Sequence, residues 1–394
     1  MAADPLLAWR DEFPILQTCT YLVSHSLGAM PRRTATYLQE YADTWNRRGV
    51  RAWHEGWWEI QQTTGDLLAP ILGVKPGTIS MHPNVTIAMG VIASCHMFDG
   101  PRRKIVMTDL EFPTNMYLFE GFRRYGADVV YVSSDDTIRT NLDRLLDAID
   151  EYTLLVPLSL VLFRSAHVQN ARAVIEKAHR VGARVILDVY QAAGTVPLNL
   201  DDLEADFAVG GSVKWLCGGP GAGYLYVRPD LMAGLYPGLV GWAAHANPFT
   251  FSTGPIVYAD GSERFQSGTP NVPAMYAARA GYEIVAQIGV KAIREKSLRL
   301  TRRIIQHAQR MGYRLNTPPD DSERGGTVIV DVPNGEAVAQ ELLRREVIID
   351  YRPGAGIRMA PHFYNTEDEI DRALATLDSI TARSSPLSAG SYQK

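Results

Sequence analysis

Between about residue 65 and residue 230, amphipathic helical stretches alternate with short, nearly continuous apolar runs. Strands that are buried on both faces carry such runs, so the alternation is typical of a mostly parallel sheet flanked by helices. In 170–183, apolar positions three and four residues apart predict one of these helices. The predicted strands are 104–109, 128–133, 154–159, 184–189, 206–211 and 223–228. The pattern predicts a large α/β lobe.

A second lobe is predicted toward the C-terminus. Residues 273–311 form a long helical pattern that breaks at Gly289, and the polar stretch 317–326 follows as a loop. The order strand, helix, strand, strand, helix then predicts a small α+β lobe, and 384–394 are predicted to be a frayed tail. We therefore predict three parts. These are an N-terminal segment 1–50 that packs on the small domain, a large domain 51–285 and a small C-terminal domain 286–394.

The composition narrows the class of protein. A chain of 394 residues with 46% hydrophobic and 21% charged residues is a globular protein too long for one core. The net charge of −4 and the lack of a basic block argue against nucleic acid as a partner. Three scattered cysteines suggest neither a disulfide framework nor a metal site. Since the chain has no basic leader and no apolar run of about 18 residues, we expect a cytoplasmic enzyme with a small-molecule substrate and no membrane association.

An acid and a lysine follow two neighbouring predicted strands. Asp188 comes after the apolar run 184–187, and Lys214 comes after strand 206–211 and before a glycine-rich turn, 218–223. Both should face one crevice at the carboxyl edge of the sheet. A lysine amine can hold an aldehyde as an imine, and a carboxylate can keep a pyridine nitrogen protonated, which are the two needs of pyridoxal phosphate. Ser212 could offer its hydroxyl to the phosphate. Most lysines and aspartates are solvated surface charges, so the pair alone is not specific.

The surrounding pattern is more specific. D-x-x-Q-x-x-G at 188–194, A-D-F at 205–207 and S-x-K at 212–214, followed by the glycine-rich turn, resemble the class V aminotransferase superfamily of fold-type I enzymes. Segments 21–28, 111–115 and 241–245 further resemble the kynureninase family. The resemblance covers nearly the whole chain. It implies an α/β fold of fold type I, pyridoxal 5'-phosphate as cofactor, and a homodimer with shared active sites.

The resemblance also implies roles for individual residues. Lys214 would form the Schiff base, Asp188 would hold the pyridine nitrogen, Gln191 would bind the phenolic oxygen and Phe112 would stack on the ring. The remaining cofactor-binding residues would be Val85, Thr86, Thr114, Ser159, Ser212 and, across the dimer interface, Trp242 and Thr269. Val85 and Thr86 open a predicted helix, whose terminus favours an anion.

Three residues are expected on the substrate side. Arg358 lies in segment 351–361, which resembles the kynureninase segment that carries the clamp for the substrate α-carboxylate. A guanidinium suits this role because its fork of donors meets a carboxylate in two parallel hydrogen bonds. His54 and Ser26 align with substrate-side positions of the same family.

The chain departs from kynureninases at three positions. Val213 stands where that family has a tyrosine, Thr269 where it has an asparagine and Asn115 where it has an acid. No cysteine occurs in 359–364, where cysteine desulfurases carry their catalytic thiol, and Cys217 is interpreted as a packing residue.

The resemblance implies a kynureninase-like hydrolase or lyase. Such an enzyme would cleave a C–C or C–X bond in the side chain of a β-substituted amino acid through an external aldimine and a quinonoid. Two alternatives stay open at this point: a class V aminotransferase or racemase/epimerase acting on a small amino acid, and a cofactor-binding regulator without turnover.

Overall fold

The computed structural model describes residues 4–384; residues 1–3 and nearly all of the predicted tail, 385–394, lie outside this range. The strands are β1 Thr20–Tyr21, β2 Ile79–His82, β3 Lys104–Thr108, β4 Asp128–Val132, β5 Thr153–Ser159, β6 Arg184–Asp188, β7 Phe207–Gly211, β8 Gly223–Val227, β9 Arg314–Leu315, β10 Val328–Asp331, β11 Val347–Ile348, β12 Asp350–Arg352 and β13 Gly356–Met359. The helices are α1 Arg32–Arg48, α2 Ile60–Leu72, α3 Val85–Ala93, α4 Pro113–Phe122, α5 Leu142–Ala148, α6 Ala171–Val181, α7 Pro229–Met232, α8 Val272–Ile288, α9 Val290–Met311, α10 Gly335–Arg344 and α11 Glu367–Ser384.

A seven-stranded sheet forms the centre of the large lobe, in the order β2-β8-β7-β6-β5-β3-β4. Strands β3 to β7 pair in parallel, and β8 runs antiparallel to both β7 and β2. Every residue of β7 and β8 is buried, which explains why these strands read as continuous apolar runs. The six strands predicted from the sequence are confirmed, each to within one residue at either end. The α/β architecture of fold type I is confirmed with them.

Helix α6 shows how local sequence places the covering helices. Asn170 caps it by accepting a hydrogen bond from the backbone N–H of Ala173, and Gly182 ends it with a positive φ of 76°. Val174, Ile175 and Ala178 form its buried face. The predicted break at Gly289 is also present, where φ is 82° and α8 ends.

A second sheet, with the antiparallel order β12-β13-β10-β9, forms the small lobe with α10 and α11. The sequence pattern predicts one strand over 347–352, but the structure divides it. The first part, β11, pairs in parallel with β1, and the second part, β12, pairs with β13. The division follows from the two different partners, β1 for the first part and β13 for the second.

The N-terminal residues contact both lobes. Strand β1 pairs with β11, and the guanidinium of Arg10 lies 2.6 Å from the carboxylate of Glu369 on α11. Helix α1, in contrast, packs along α8. The domain boundaries given above stay a prediction, and the sheet edge that positions the site is independent of them.

Candidate active site

A cavity of about 220 Å³ opens at the carboxyl ends of β5, β6 and β7. Its lining contains many of the residues singled out in the sequence. The lining residues are Asn84, Val85, Thr86, Phe112, Thr114, Ser159, Val161, Phe163, Asp188, Tyr190, Gln191 and Lys214. The cavity therefore lies where open α/β sheets place their ligands.

Asp188 is the last residue of β6 and is 6% exposed. One carboxylate oxygen accepts a hydrogen bond from the Nδ2 of Asn115 (3.0 Å), and the other accepts one from the backbone N–H of Tyr190 (2.9 Å). Burial raises the pKa of Asp188, while these two donors and the charge of Lys214 oppose the rise. Within residues 4–384, no cation forms an ion pair with Asp188. A buried carboxylate without an ion-pair partner fits a protonated pyridine nitrogen as its ligand.

Lys214 reaches the cavity from the turn that follows β7. Its Nζ lies 4.4 Å from the centre of the Tyr190 ring and 5.6 Å from that of Phe112. Burial lowers the pKa of Lys214 to about 8; Asp188 opposes this shift and Arg358 adds to it. Since a lysine must be neutral to add to an aldehyde, this environment fits the amine that holds pyridoxal phosphate.

Close backbone approach fixes the turn that carries Lys214. The backbone N–H of Gly28 donates to the carbonyl of Val213 at 2.8 Å. A Cβ at position 28 would lie 2.1 Å from the carbonyl oxygen of Lys214, so no larger residue fits there. The N-terminal segment thus fixes the lysine turn from outside the sheet.

The first turn of α3 provides an anion site. Asn84 caps this helix by accepting a hydrogen bond from the backbone N–H of Ile87 at 3.0 Å. The backbone N–H groups of Val85 and Thr86 belong to the first turn, where no intrahelical acceptor exists, and they lie at the positive end of the helix dipole. Both residues line the cavity, so this end of it fits a phosphate.

Two further polar residues of the cavity are held by buried partners. Ser159 pairs in register with Asp188 and donates from both its backbone N–H and its hydroxyl to Glu111. Burial raises the pKa of Glu111 to about 7. Gln191 donates to the carbonyl of His25 at 3.2 Å and accepts from the indole N–H of Trp215 at 3.1 Å. These bonds fix the orientation of the Gln191 amide.

Arg358 lies on β13 beside the cavity rather than among its lining residues. Its Nη1 donates to the carbonyl of Phe163 at 2.9 Å, and Phe163 lines the cavity. Its Nη2 pairs with Asp350, while its Nε has no hydrogen-bond partner within the described part of the chain. Asp350 also lies 3.5 Å from the Nε2 of His25. The guanidinium is therefore already neutralised by a carboxylate of the protein.

Besides Arg358, five of the predicted site residues lie outside the cavity lining. The hydroxyl of Ser212 is buried and donates to the carbonyl of Ala222, which leaves it no proton for a phosphate. Ser26 is an exposed residue in a turn, and its backbone N–H donates to Val23. Trp242 and His54 belong to an aromatic surface cluster that includes Phe249. Thr269 lines a different surface pocket, next to Trp53 and Trp57.

The structure also reveals neighbours that the sequence interpretation missed. Tyr190 lines the cavity, yet it is one of the unspecified positions of D-x-x-Q, so the motif gave no signal for it. Asp350 could have been noticed as a charged residue inside an otherwise apolar run, eight positions before Arg358. Asn115 was noted only as a departure from kynureninases, whereas its side chain binds Asp188.

Comparison with known proteins decides the family. Residues 20–372 match the family model described as "Aminotransferase class-V". The chain belongs to this family. It is a pyridoxal-phosphate-dependent enzyme of the class V group, and the cavity residues described above fit that cofactor.

Individual relatives of this class V enzyme are similar along almost their whole length. A kynureninase from Bacillus anthracis is 30% identical over 394 residues, which cover 96% of this chain and 92% of that protein. An uncharacterized aminotransferase from Bacillus subtilis is 30% identical over 377 residues, with coverage of 95% and 97%. A cysteine desulfurase from Thermococcus onnurineus NA1 superimposes with a TM-score of 0.86 at 20% identity, over 97% of this chain and 99% of that one. This last similarity shows the shared fold.

Residues 4–384 lack two other kinds of feature. None of the helices there combines the length and apolar character needed to cross a membrane. The same residues contain no cluster of three or more His, Cys, Asp or Glu side chains arranged to hold a metal ion.

Proposed function

We propose that this class V enzyme cleaves the side chain of a β-substituted amino acid, as a kynureninase-like hydrolase or lyase acting on a C–C or C–X bond. The observation that carries the proposal is the convergence of Lys214, Asp188, Phe112 and the α3 terminus on one cavity, with Arg358 against its wall. The similarity to a kynureninase over nearly the full length of both chains supports the choice of reaction.

Different residues of the cavity would bind the cofactor and transfer the proton. Bound pyridoxal phosphate supplies an aldehyde for the substrate amine and a ring that accepts electrons from the α-carbon. Asp188 would keep a proton on the pyridine nitrogen, and Phe112 would cover one face of the ring. Lys214, once free, would take the α-proton at Nζ. A pKa near 8 suits a base that works near neutral pH.

Arg358 would hold the α-carboxylate of the substrate. Its Nη1 binds the carbonyl of Phe163, which lines the cavity, and its buried Nε has no partner within the described residues, so a donor is left for a ligand. Because Asp350 neutralises the guanidinium before substrate arrives, the substrate carboxylate must share it or displace Asp350. His54 and Ser26 stay predictions as substrate-side residues.

The cysteines argue against persulfide chemistry. Cys217 is buried, and burial raises its pKa. Burial also raises the pKa of Cys19, and that of Cys95 to about 12. Thiols become nucleophiles as thiolates, so these three are poorly suited to attack sulfur. Residues 359–364, where cysteine desulfurases carry their catalytic thiol, contain no cysteine and are all buried.

We also propose that the enzyme works as a homodimer. Trp242 is 41% exposed and Phe251 is 71% exposed, and their rings stack at 5.8 Å on a surface that includes Phe249. Exposed aromatic clusters of this kind mark interaction surfaces, and a second copy of the chain would bring Trp242 and Thr269 toward a neighbouring cavity. Sedimentation equilibrium tests this. A monomer at micromolar concentration that binds cofactor normally would contradict it.

The decisive experiment follows the products. The purified enzyme is incubated separately with kynurenine, cysteine sulfinate and a cysteine S-conjugate, and released alanine and pyruvate are quantified. The proposal expects one of these products from a β-substituted amino acid, and none from the Lys214→Ala control. Keto-acid-dependent conversion of amino acids without side-chain loss would contradict it.

Transamination or racemisation is the second candidate. Val213 supports it, because the hydroxyl that kynureninases carry at this position is absent. The similarity to an uncharacterized aminotransferase points the same way. Conversion of the cofactor to its amino form, reversed by a keto acid, would identify transamination. Loss of optical activity without a new product would identify racemisation.

A further inference from the structure

The side chain of Tyr190 lies between the end of β6 and the turn that carries Lys214. Its backbone N–H donates a hydrogen bond to the carboxylate of Asp188, and its side chain lines the cavity. The Nζ of Lys214 lies 4.4 Å from the ring centre, closer than to the ring of Phe112. This is the range in which an aromatic face attracts a cation.

Gly211, at the end of β7, leaves room for the side chain of Tyr190. A Cβ at Gly211 would lie 2.5 Å from the phenol oxygen of Tyr190, so only glycine at the end of β7 leaves room for it. The backbone N–H of Val213 interacts with the same oxygen. The oxygen thus faces the backbone of β7 and the lysine turn, and the ring face is the part of Tyr190 that meets the amine.

The phenol of Tyr190 keeps its proton in the folded protein. Burial raises the pKa of Tyr190 above its ordinary value, and the charge of Asp188 raises it further. The group stays neutral at physiological pH.

We propose that Tyr190 is a positioning residue whose ring face holds the amine of Lys214 in the cavity and favours its protonated form. The ring stabilises the lysine after it has taken up a proton, and it keeps Nζ near the place where that proton was removed. The inference rests on Lys214 as the cofactor lysine. It does not depend on which bond of the substrate is later cleaved.

Several charged groups act on the same amine. Asp188 on β6 favours the ammonium, whereas Arg358 on β13 and Arg352 on β12 disfavour it. His25 also lies close enough to interact with Lys214, and burial lowers its pKa to about 3, so it is neutral. Substitutions at Tyr190 leave the side chains of Asp188, Arg358, Arg352 and His25 unchanged, so they test the effect of the ring alone.

The experiment compares the holoenzymes of Tyr190→Phe, Tyr190→Leu and Tyr190→Met. Phenylalanine keeps the ring and loses the oxygen, whereas leucine and methionine fill the space without a ring. Without substrate, the absorbance of the lysine-bound cofactor is titrated against pH. Loss of the ring is expected to lower the midpoint by about one pH unit. In Tyr190→Phe the shift should stay below roughly a third of that, because both rings attract cations.

A second readout follows the α-proton. Exchange of the substrate α-hydrogen with D₂O, measured by NMR, should slow in the leucine and methionine variants and recover in the phenylalanine variant. The proposal is overturned if the leucine and methionine variants keep the parent midpoint. It is equally overturned if phenylalanine shifts the midpoint as far as leucine does, since the oxygen would then be the active part. Failure of the proposed side-chain cleavage leaves the pH titration interpretable, because that readout uses no substrate.

Discussion

The substitution Glu111→Gln replaces a buried carboxyl group with an amide of nearly the same shape. Glu111 is 2% exposed and accepts hydrogen bonds from Ser159 through one oxygen and from the Thr108 hydroxyl, at 3.2 Å, through the other. Glutamine can keep both contacts, because its oxygen can accept from Ser159 and its amide can donate to the Thr108 oxygen. The substitution therefore removes the ionisation and little else.

The expected magnitude follows from the pKa of Glu111. Burial raises it from 4.5 to about 7, so the carboxyl group stays protonated in the folded protein at pH values where it is ionised in the unfolded chain. The stability from this group is fully present below pH 4.5 and is lost as the pH rises through about 7. A shift of this size corresponds to about 3 kcal/mol.

Urea unfolding followed by circular dichroism measures the effect. The free energy of unfolding of Glu111→Gln, relative to the parent, should rise by about 3 kcal/mol from pH 4.5 to above pH 7. Other titrating groups are common to both proteins and cancel in the difference. A difference that is independent of pH would refute the reasoning, because Glu111 would then ionise alike in the folded and unfolded states.

Three further predictions concern the cofactor, the substrate and acid stability. Asp188→Asn should retain the cofactor but lower kcat by at least about 100-fold, measured as product release; a loss below tenfold would count against Asp188 as the partner of the ring nitrogen. Arg358→Met should raise KM for the amino acid by about 10- to 100-fold, the loss expected for hydrogen bonds to a charged group, and an unchanged KM would place the carboxylate elsewhere. Below pH 6.5, the free energy of unfolding should fall because of four buried histidines. Burial lowers the pKa of each to about 3 or 4, so they are neutral in the folded protein and gain protons on unfolding. Urea unfolding of Glu111→Gln, which lacks the opposing carboxyl contribution, measures this, and a flat profile between pH 7 and 5 would contradict it. The four residues are His25, His82, His96 and His362.

Much of the large lobe could be predicted because its strands are buried on both faces. Continuous apolar runs fix their ends to within a residue, as at Lys104–Thr108 and Gly223–Val227. Strand Ile79–His82 was missed, although all four of its residues are buried. Its Ser80 and His82 bind each other at 3.0 Å, and two polar residues in four conceal an interior strand.

The position of Asp188 and Lys214 at one sheet edge also follows from the sequence. Parallel strands end on the same side, so an acid after one strand and a lysine after the next must approach each other. The ion pair between Asp350 and Arg358 could not be found in this way. It depends on the register in which β12 pairs with β13, which places Asp350 opposite Arg358 and which the hydrophobic pattern of two short strands does not specify.

The sequence by itself determined the fold class, the family and the two charged residues that we propose bind the cofactor, because local hydrophobic periodicity and motif spacing are properties of the chain. Only the tertiary structure decided what surrounds those charges. Burial sets the pKa of Lys214 near 8, Gly211 makes room for the Tyr190 ring beside its amine, and Asp350 neutralises Arg358 in advance. All three effects depend on groups that are distant in the sequence but pack together in the fold and exclude water from the site.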